Sequence, residues 1–425
     1  MTTKNLNNCS LFDKATIWLL LLTQILKTYG YVSYWNFANI LTYLFAVIFI
    51  VRCFFSPTKY KVDMPRELIV FFIYWIVVYI YNNIHNNPIP SNIILLIFSF
   101  VLFWGVVTTN QLPRLIKYYR IIGACCILFF FLQETAYYTI GQRFLGIIPF
   151  FPIALNSVDD IDSYIMKNVS GFRSSSFFSE PAYFAQYLIP LLAIELFYDK
   201  SKRHYLYSLI IFVAILLANT GSGLVGLLGI LITYMFNFHN VIKKQNYLLT
   251  IFLFLLIIIV GCFCMNTSMG ESLIDRKTEL SFDYEGGSRS GFMRLYRGLY
   301  VFAEYSFSEK LFGNDNSNEM NNHMMHSSAY DTFGDNNDTF FNGYQYCLLR
   351  TGFVGLLLMI ILIYNTLRHN SICGKCITLS FGCLMAVEAM FFGNNMILFL
   401  IISYRLKQLN SINNENRLHF KYRLC

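Results

Sequence analysis

Residues 344–367, YQYCLLRTGFVGLLLMIILIYNTL, carry a single charged side chain, Arg350. At 1.5 Å per residue this run makes a helix of about 36 Å, enough to cross the ~30 Å hydrocarbon core of a bilayer. Similar runs, bounded by polar or Pro/Gly breaks, lie at 17–30, 37–51, 68–81, 93–107, 121–140, 182–198, 205–218, 224–236, 247–264, 377–392 and 396–404. Together they predict an all-α polytopic membrane protein with about 12 transmembrane helices. The last run is short and follows Gly393-Asn394-Asn395, so it also reads as a broken continuation of the eleventh. Of the 425 residues, 56% are hydrophobic and 13% charged, against roughly 25% charged in a soluble globular domain. That balance excludes a soluble enzyme, a disordered chain and a protein with a single anchor. The 18% aromatic content suits lipid-facing surface and interfacial belts.

The positive charge is distributed unevenly. Alternate connections and both ends hold 21 of the 32 Lys and Arg residues, among them Arg52, Lys59, Lys61 and Arg66, then Arg114, Lys117 and Arg120, then Arg405 and Lys407. The short connections between those sets hold only Lys27. Basic residues in short loops resist translocation, which puts both termini in the cytoplasm. The organisation expected is helices 1–5 within 1–140, a first long outer loop at 141–180, helices 6–9 within 181–265, a second long outer loop at 266–342, helices 10–12 within 343–405, and a cytoplasmic tail at 406–425. Loops of that length are uncommon unless functional or disordered. The eleven cysteines avoid both long loops, so no disulfide framework is expected, and Cys373-Gly-Lys-Cys376 lacks the second pair that a metal or redox motif needs. Polar residues 1–14 lead into a run without a small-residue cleavage pattern, so no cleavable signal peptide is expected.

Chemistry is therefore sought in the two outer loops. The first ends in Arg173-Ser174-Ser175-Ser176-Phe177-Phe178-Ser179-Glu180-Pro181 and runs straight into the sixth helix. Pro181 suits a first helical position. Glu180 then stands at the helix mouth, either as a plain acidic cap or as a functional carboxylate. In the second loop, 287–305 reads as an amphipathic helix with Arg289, Arg294 and Arg297, the last two on one face. Guanidinium forks bind phosphate oxygens bidentately without losing charge, so the cluster suits a lipid-linked pyrophosphate or anionic headgroups. Glu134, Arg350 and Glu388 lie within helices near the outer surface, where charge is costly. Arg350 is either functional or in an ion pair with Glu134 or Glu388. The Asn/Asp-rich stretch 314–338, with His323 and His326, has no EF-hand order and no metal-ligand spacing, and reads as a solvated loop. P-loop, Rossmann, serine-hydrolase and nucleic-acid signatures are missing from the sequence.

These pieces resemble the bacterial O-antigen polymerase (Wzy-type) family, which belongs with the O-antigen ligases. Arg173 to Ala185 is similar to its R-x-S-x-F-x-E-P-x-x-F-A segment, and Thr220-Gly221-Ser222-Gly223-Leu224 to its S-x-S-G-L turn. Arg294 followed by Leu311-Phe312-Gly313-Asn314 resembles the arginine helix with its P-L-F-G-x-G turn, with Lys310 in place of proline. Asn342-Gly343-Tyr344 through Gly352-Phe353-Val354-Gly355 resembles the H-N-x-(Y/F) to G-I-I-G stretch, with Phe341 where ligase-like members carry histidine. The resemblance implies a metal-independent, cofactor-free glycosyltransferase at the outer face of the inner membrane. It would transfer a growing glycan from undecaprenyl pyrophosphate to a lipid-linked repeat unit of O-antigen or capsule. Arg173, Arg289, Arg294, Arg297 and Arg350 would bind substrate, and Glu180, or secondly His326, would be the catalytic base. The expected partners are the undecaprenyl-pyrophosphate-linked oligosaccharide, the bilayer, and a chain-length regulator and flippase of the same pathway, with no nucleic acid. A polysaccharide ligase shares the donor, and a lipid-linked oligosaccharide transporter is a third reading.

Single cysteines in a background lacking the native ones test the expected topology. An impermeant maleimide applied to intact cells should label position 160 and spare positions 60 and 243; the reverse pattern would overturn it.

Overall fold

The computed structural model describes residues 10–30, 35–55, 62–83, 91–141, 144, 146–148, 150–153, 174–199, 204–237, 293–326, 341–391 and 393–422. The described residues form helices, with two isolated bridges, Tyr29 to Ile153 and Gly30 to Asn36, as their only extended pairing. Among the described residues, eight helices precede the second long loop: α1 (Leu11–Leu26), α2 (Phe37–Phe55), α3 (Arg66–Asn83), α4 (Ser91–Val106), α5 (Leu112–Ile140), α6 (Pro181–Phe197), α7 (Tyr205–Leu217) and α8 (Gly221–Phe236). A π turn at Met293–Arg297 leads into α9 (Gly298–Glu304), α10 (Phe307–Phe312) and α11 (Ser317–His326); α12 (Gly343–Leu367), α13 (Ile372–Met385) and α14 (Asn394–Tyr422) complete the fold.

Helices α2, α5 and α12 are long and apolar enough to cross a membrane, and several shorter apolar helices accompany them. Outward-facing Val77, Leu128, Leu132, Leu357 and Ile360 are each at least half exposed. Such a surface suits lipid, and the chain is a membrane protein. The 12 spans are not all visible, because 247–264 lies outside the described residues.

Boundaries differ from expectation where local chemistry outweighs hydropathy. Helix α1 begins at Leu11, not at 17, because Ser10 and Asp13 form a reciprocal capping box at 3.1 and 3.2 Å. Helix α5 begins at Leu112, not at 121. Its first turns are amphipathic, burying Leu112, Leu115, Ile116 and Tyr119 while Arg114 and Lys117 face away, so the helical period continues through residues that hydropathy reads as loop. The eleventh helix ends at Met385, short of 392, and α14 is a separate helix reaching Tyr422, beyond 404.

Helix α13 sits centrally, packed by α6, α8, α12 and α14. It meets α8 closely at Gly229, where a Cβ would come within 2.5 Å of the Ser380 Cα; small residues allow such approaches. At the basic end of the bundle, Arg405 ties α14 to α4 and its exit, donating to the carbonyls of Trp104 (2.8 Å) and Val107 (2.6 Å) and pairing with Asp63 at 3.3 Å. Glu195 of α6 pairs there with Arg120 at 2.5 Å.

At the opposite end, the turn after α10 docks on a kink in α12. Gly352 has φ 65° and ψ −169° inside the helix, a conformation essentially reserved for glycine. The Leu349 carbonyl accepts the Asn314 N–H at 2.9 Å, and a Cβ on Gly352 would fall 2.3 Å from the Leu311 carbonyl oxygen. The Gly352→Ala variant should lose at least about 1–3 kcal/mol of stability, measured as reduced resistance to unfolding in detergent. Stability equal to wild type would contradict this crossing.

Candidate functional site

Six stretches far apart in the sequence converge at the end of the bundle opposite Arg405. Glu180 is the N-cap of α6, with Pro181 following it, yet its side chain makes no capping hydrogen bond and is exposed. The plain-cap alternative therefore does not describe this carboxylate. One turn on, Tyr183 lies within electrostatic reach of Glu180, Glu388, Arg294 and Tyr346. Lys27, just past the end of α1, places its ammonium 5.2 Å from the centre of the Tyr183 ring.

Arg294, on the π turn, donates from Nη1 to Glu388 Oε1 at 2.8 Å. Glu388 stands in the turn between α13 and α14, and Ser222 of α8 is within hydrogen-bonding reach of it. The start of α12 holds this arrangement. Asn342 caps α12 through the Gln345 N–H and also donates to the Arg294 carbonyl at 2.8 Å. The Gln345 amide donates to the Leu295 carbonyl at 2.6 Å, and the Gly343 N–H to the Glu388 carbonyl at 2.8 Å.

The segments resembling S-x-S-G-L, the arginine helix and H-N-x-(Y/F) thus meet around one ion pair. Arg294 and Arg297 do not share an exposed face as expected, since Arg297 is 2% exposed while the Arg294 side chain keeps 30%. The π turn, bonding i to i+5, rotates them apart. Arg173 and Arg289 lie outside the described residues.

Arg350 pairs with neither Glu134 nor Glu388. It meets Asp315 at 3.5 Å and lies 5.5 Å from the centre of the Tyr346 ring, so it borders the site through an aromatic neighbour. Trp75 donates to Asp315 at 2.8 Å, and Asn83 to the Asp315 carbonyl at 3.2 Å. Asn314, Asp315 and Asn316 are buried, which corrects the solvated-loop reading of this part of 314–338; residues 327–340 lie outside the described residues. Burial pushes the Asp315 carboxyl up from its usual range, opposed by Arg350 and the Trp75 hydrogen bond. Burial works against the Glu309 carboxylate too, but hydrogen bonds from Ser306 and Asn314 and the charge of His323 hold it below its usual range. His323, 3.2 Å from Glu309, belongs to that network. His326, exposed at the end of α11, bonds the Asn322 carbonyl of its own helix at 2.9 Å, away from the Arg294 and Glu388 cluster. Phe341 is 1% exposed and packs on Tyr346, so its position supplies core, not a base.

Sequence reasoning left Lys27, Tyr183 and Asp315 out of the site. Lys27 had a signal, as the only basic residue in the otherwise uncharged short connections. It is exposed, and Glu180 lies within electrostatic reach of its ammonium. The chain matches no protein-family model, no curated protein and no solved structure.

Glu180→Gln should leave stability within about 0.5 kcal/mol of wild type, because no cap bond is lost. Asn342→Ala, which removes a real cap and the Arg294 clamp, should cost about 0.5–2 kcal/mol or more. Unfolding in detergent compares the two; equal losses would contradict the assigned roles.

Proposed function

We propose that this chain is a polysaccharide polymerase of O-antigen or capsule, a glycosyltransferase of the bacterial inner membrane with 12 spans and both termini cytoplasmic. The observation that carries the reading is the meeting of Arg294, Glu388, Glu180 and Lys27 around Tyr183. In this reading that end of the bundle faces outward, where the long loops belong. The substrate is an undecaprenyl-pyrophosphate-linked glycan, and the acceptor is a second lipid-linked repeat unit.

The acceptor hydroxyl attacks the anomeric carbon of the donor, the bond from that carbon to the pyrophosphate oxygen breaks, and the electron pair leaves with the lipid pyrophosphate. The hydroxyl proton passes to Glu180, whose carboxylate is not engaged in capping. Charge develops on the leaving pyrophosphate, and donors already in place stabilise it best. Glu388 engages one nitrogen of Arg294, leaving the rest of the fork for phosphate oxygens, with Arg173 and Arg289 as further expected ligands. Arg350, already paired with Asp315, serves the site through Tyr346 and not as a free phosphate ligand. Burial of Phe341 favours the polymerase over a ligase, since a ligase-type histidine has no counterpart at that position.

General-base assistance contributes roughly 10²- to 10⁴-fold. Purified, folded Glu180→Gln protein should lose polymerisation by that factor, and Arg294→Lys should be strongly impaired because a point charge does not replace a fork. Activity of Glu180→Gln within a few-fold of wild type would remove the base from Glu180. A deletion strain should accumulate lipid-linked single repeat units; undelivered long polymer would instead indicate the ligase.

A further inference from the structure

The stretch 174–178, which leads the chain to Glu180, is irregular in conformation, yet Ser174, Ser175, Ser176 and Phe178 are buried. A glutamine holds it there. Gln133, about two turns before the end of α5 and 1% exposed, accepts the Ser176 N–H at Oε1 (2.8 Å) and donates from Nε2 to the Phe144 carbonyl (2.7 Å). Only one amide orientation satisfies both contacts, and it joins points 11 and 43 residues further along the chain. An amide inside a membrane-crossing helix is costly unless bonded. Here both of its ends are bonded, and to the first outer loop.

The surroundings repeat the restraint. Ser176 has φ 55°, a left-handed conformation unfavourable for a residue with a side chain, and its hydroxyl donates to the Cys126 carbonyl at 2.7 Å. Phe177 stacks on Phe129 with ring centres 4.3 Å apart, and Phe178 packs against Phe184 and Tyr187 of α6. On the incoming limb, the Tyr29 hydroxyl donates to the Gly146 carbonyl at 3.1 Å and accepts the Ile148 N–H at 2.9 Å. Gly146 passes so close to the outgoing limb that a Cβ there would fall 1.5 Å from the Ser176 carbonyl oxygen. A strained backbone persists only where its surroundings over-determine it, and such places cluster at working sites. Glu180 makes no capping bond of its own, so the path by which the chain enters α6 sets where its carboxylate stands.

We propose that Gln133 is a positioning residue for Glu180, its amide clamping the two limbs of the first outer loop so that the 174–180 segment delivers the carboxylate to the site. The role beside a base rests on the polymerase reading; the clamp itself does not. Gln133 touches no reacting atom, and it acts through the backbone that carries Glu180.

Full-length wild type, Gln133→Met, Gln133→Asn and Gln133→Glu in nanodiscs are compared by amide hydrogen exchange and by polymerisation of a lipid-linked repeat unit per folded protein. Met matches the length of Gln without either bond; Asn keeps the amide but is one methylene too short to reach both partners. Each should speed exchange around Phe144 and Ser176 and leave 184–197 as in wild type. Each should also lower kcat about ten- to a hundred-fold through misplacement of the base, with KM changed less than about threefold. Gln133→Glu should keep kcat within about threefold of wild type, because a carboxyl buried there stays neutral and offers the same donor and acceptor. If Gln133→Met does not fold, Gln133→Asn decides. Exchange unchanged from wild type would overturn the clamp. Faster exchange with a wild-type kcat, or Gln133→Glu impaired as severely as Gln133→Asn, would overturn the positioning role and leave the polymerase reading standing. A wild type that polymerises no repeat unit would overturn that reading and the role beside Glu180 together, while the exchange data still decide the clamp.

Discussion

The first turn of α12 is where the site is assembled. Its cap residue and its third residue each spend a side-chain amide on the backbone of the arginine turn, and the N–H between them reaches the backbone of the Glu388 turn. A helix start normally leaves four N–H groups without partners. Here the polar groups of that start fix the π turn and the turn between α13 and α14, and the Arg294 to Glu388 ion pair follows from the geometry so imposed. Were the turn to fray, the guanidinium and the carboxylate would lose their common frame before losing each other.

A second buried pair supports the first from below. Asp315 meets Arg350 under the cover of Trp75 and Asn83, and breaking a buried pair by removing one partner commonly costs about 3–5 kcal/mol. Arg350 also flanks Tyr346, which touches Phe341 and lies near Tyr183. The kink at Gly352, the Asp315 pair and the Tyr346 ring therefore form one continuous support from α3 to the Arg294 and Glu388 pair.

The apolar runs of the sequence locate the helices well, because lipid and protein interior both reward the same residues. Their ends are less legible. Ser10 and Asp13 extend α1 through polar residues, and the basic first turns of α5 are helical for reasons of periodicity that mean hydropathy conceals. Glu180, Arg294 and Glu388 stand out as charges near a membrane rim, and the structure brings them near Tyr183. The partner of Arg350 was not legible, since Asp315 sits in a stretch whose composition reads as solvated and whose burial depends on Trp75 and Asn83, some 240 and 232 residues away. Lys27 is an exception to a charge rule in the sequence, and its place beside the Tyr183 ring shows only in three dimensions.

The Arg405 clamp carries a consequence for biosynthesis. Its two carbonyl partners, Trp104 and Val107, precede it by 301 and 298 residues, and at roughly 5–20 residues per second the ribosome takes about 15–60 s to cover that distance. For that interval the exit of α4 waits with its last carbonyls bare, and the bundle closes only when the last helix is delivered. A chain whose synthesis stops before residue 405 thus keeps an unsealed seam near its N-terminal half, which is a mark by which a cell can distinguish an unfinished copy from a complete one.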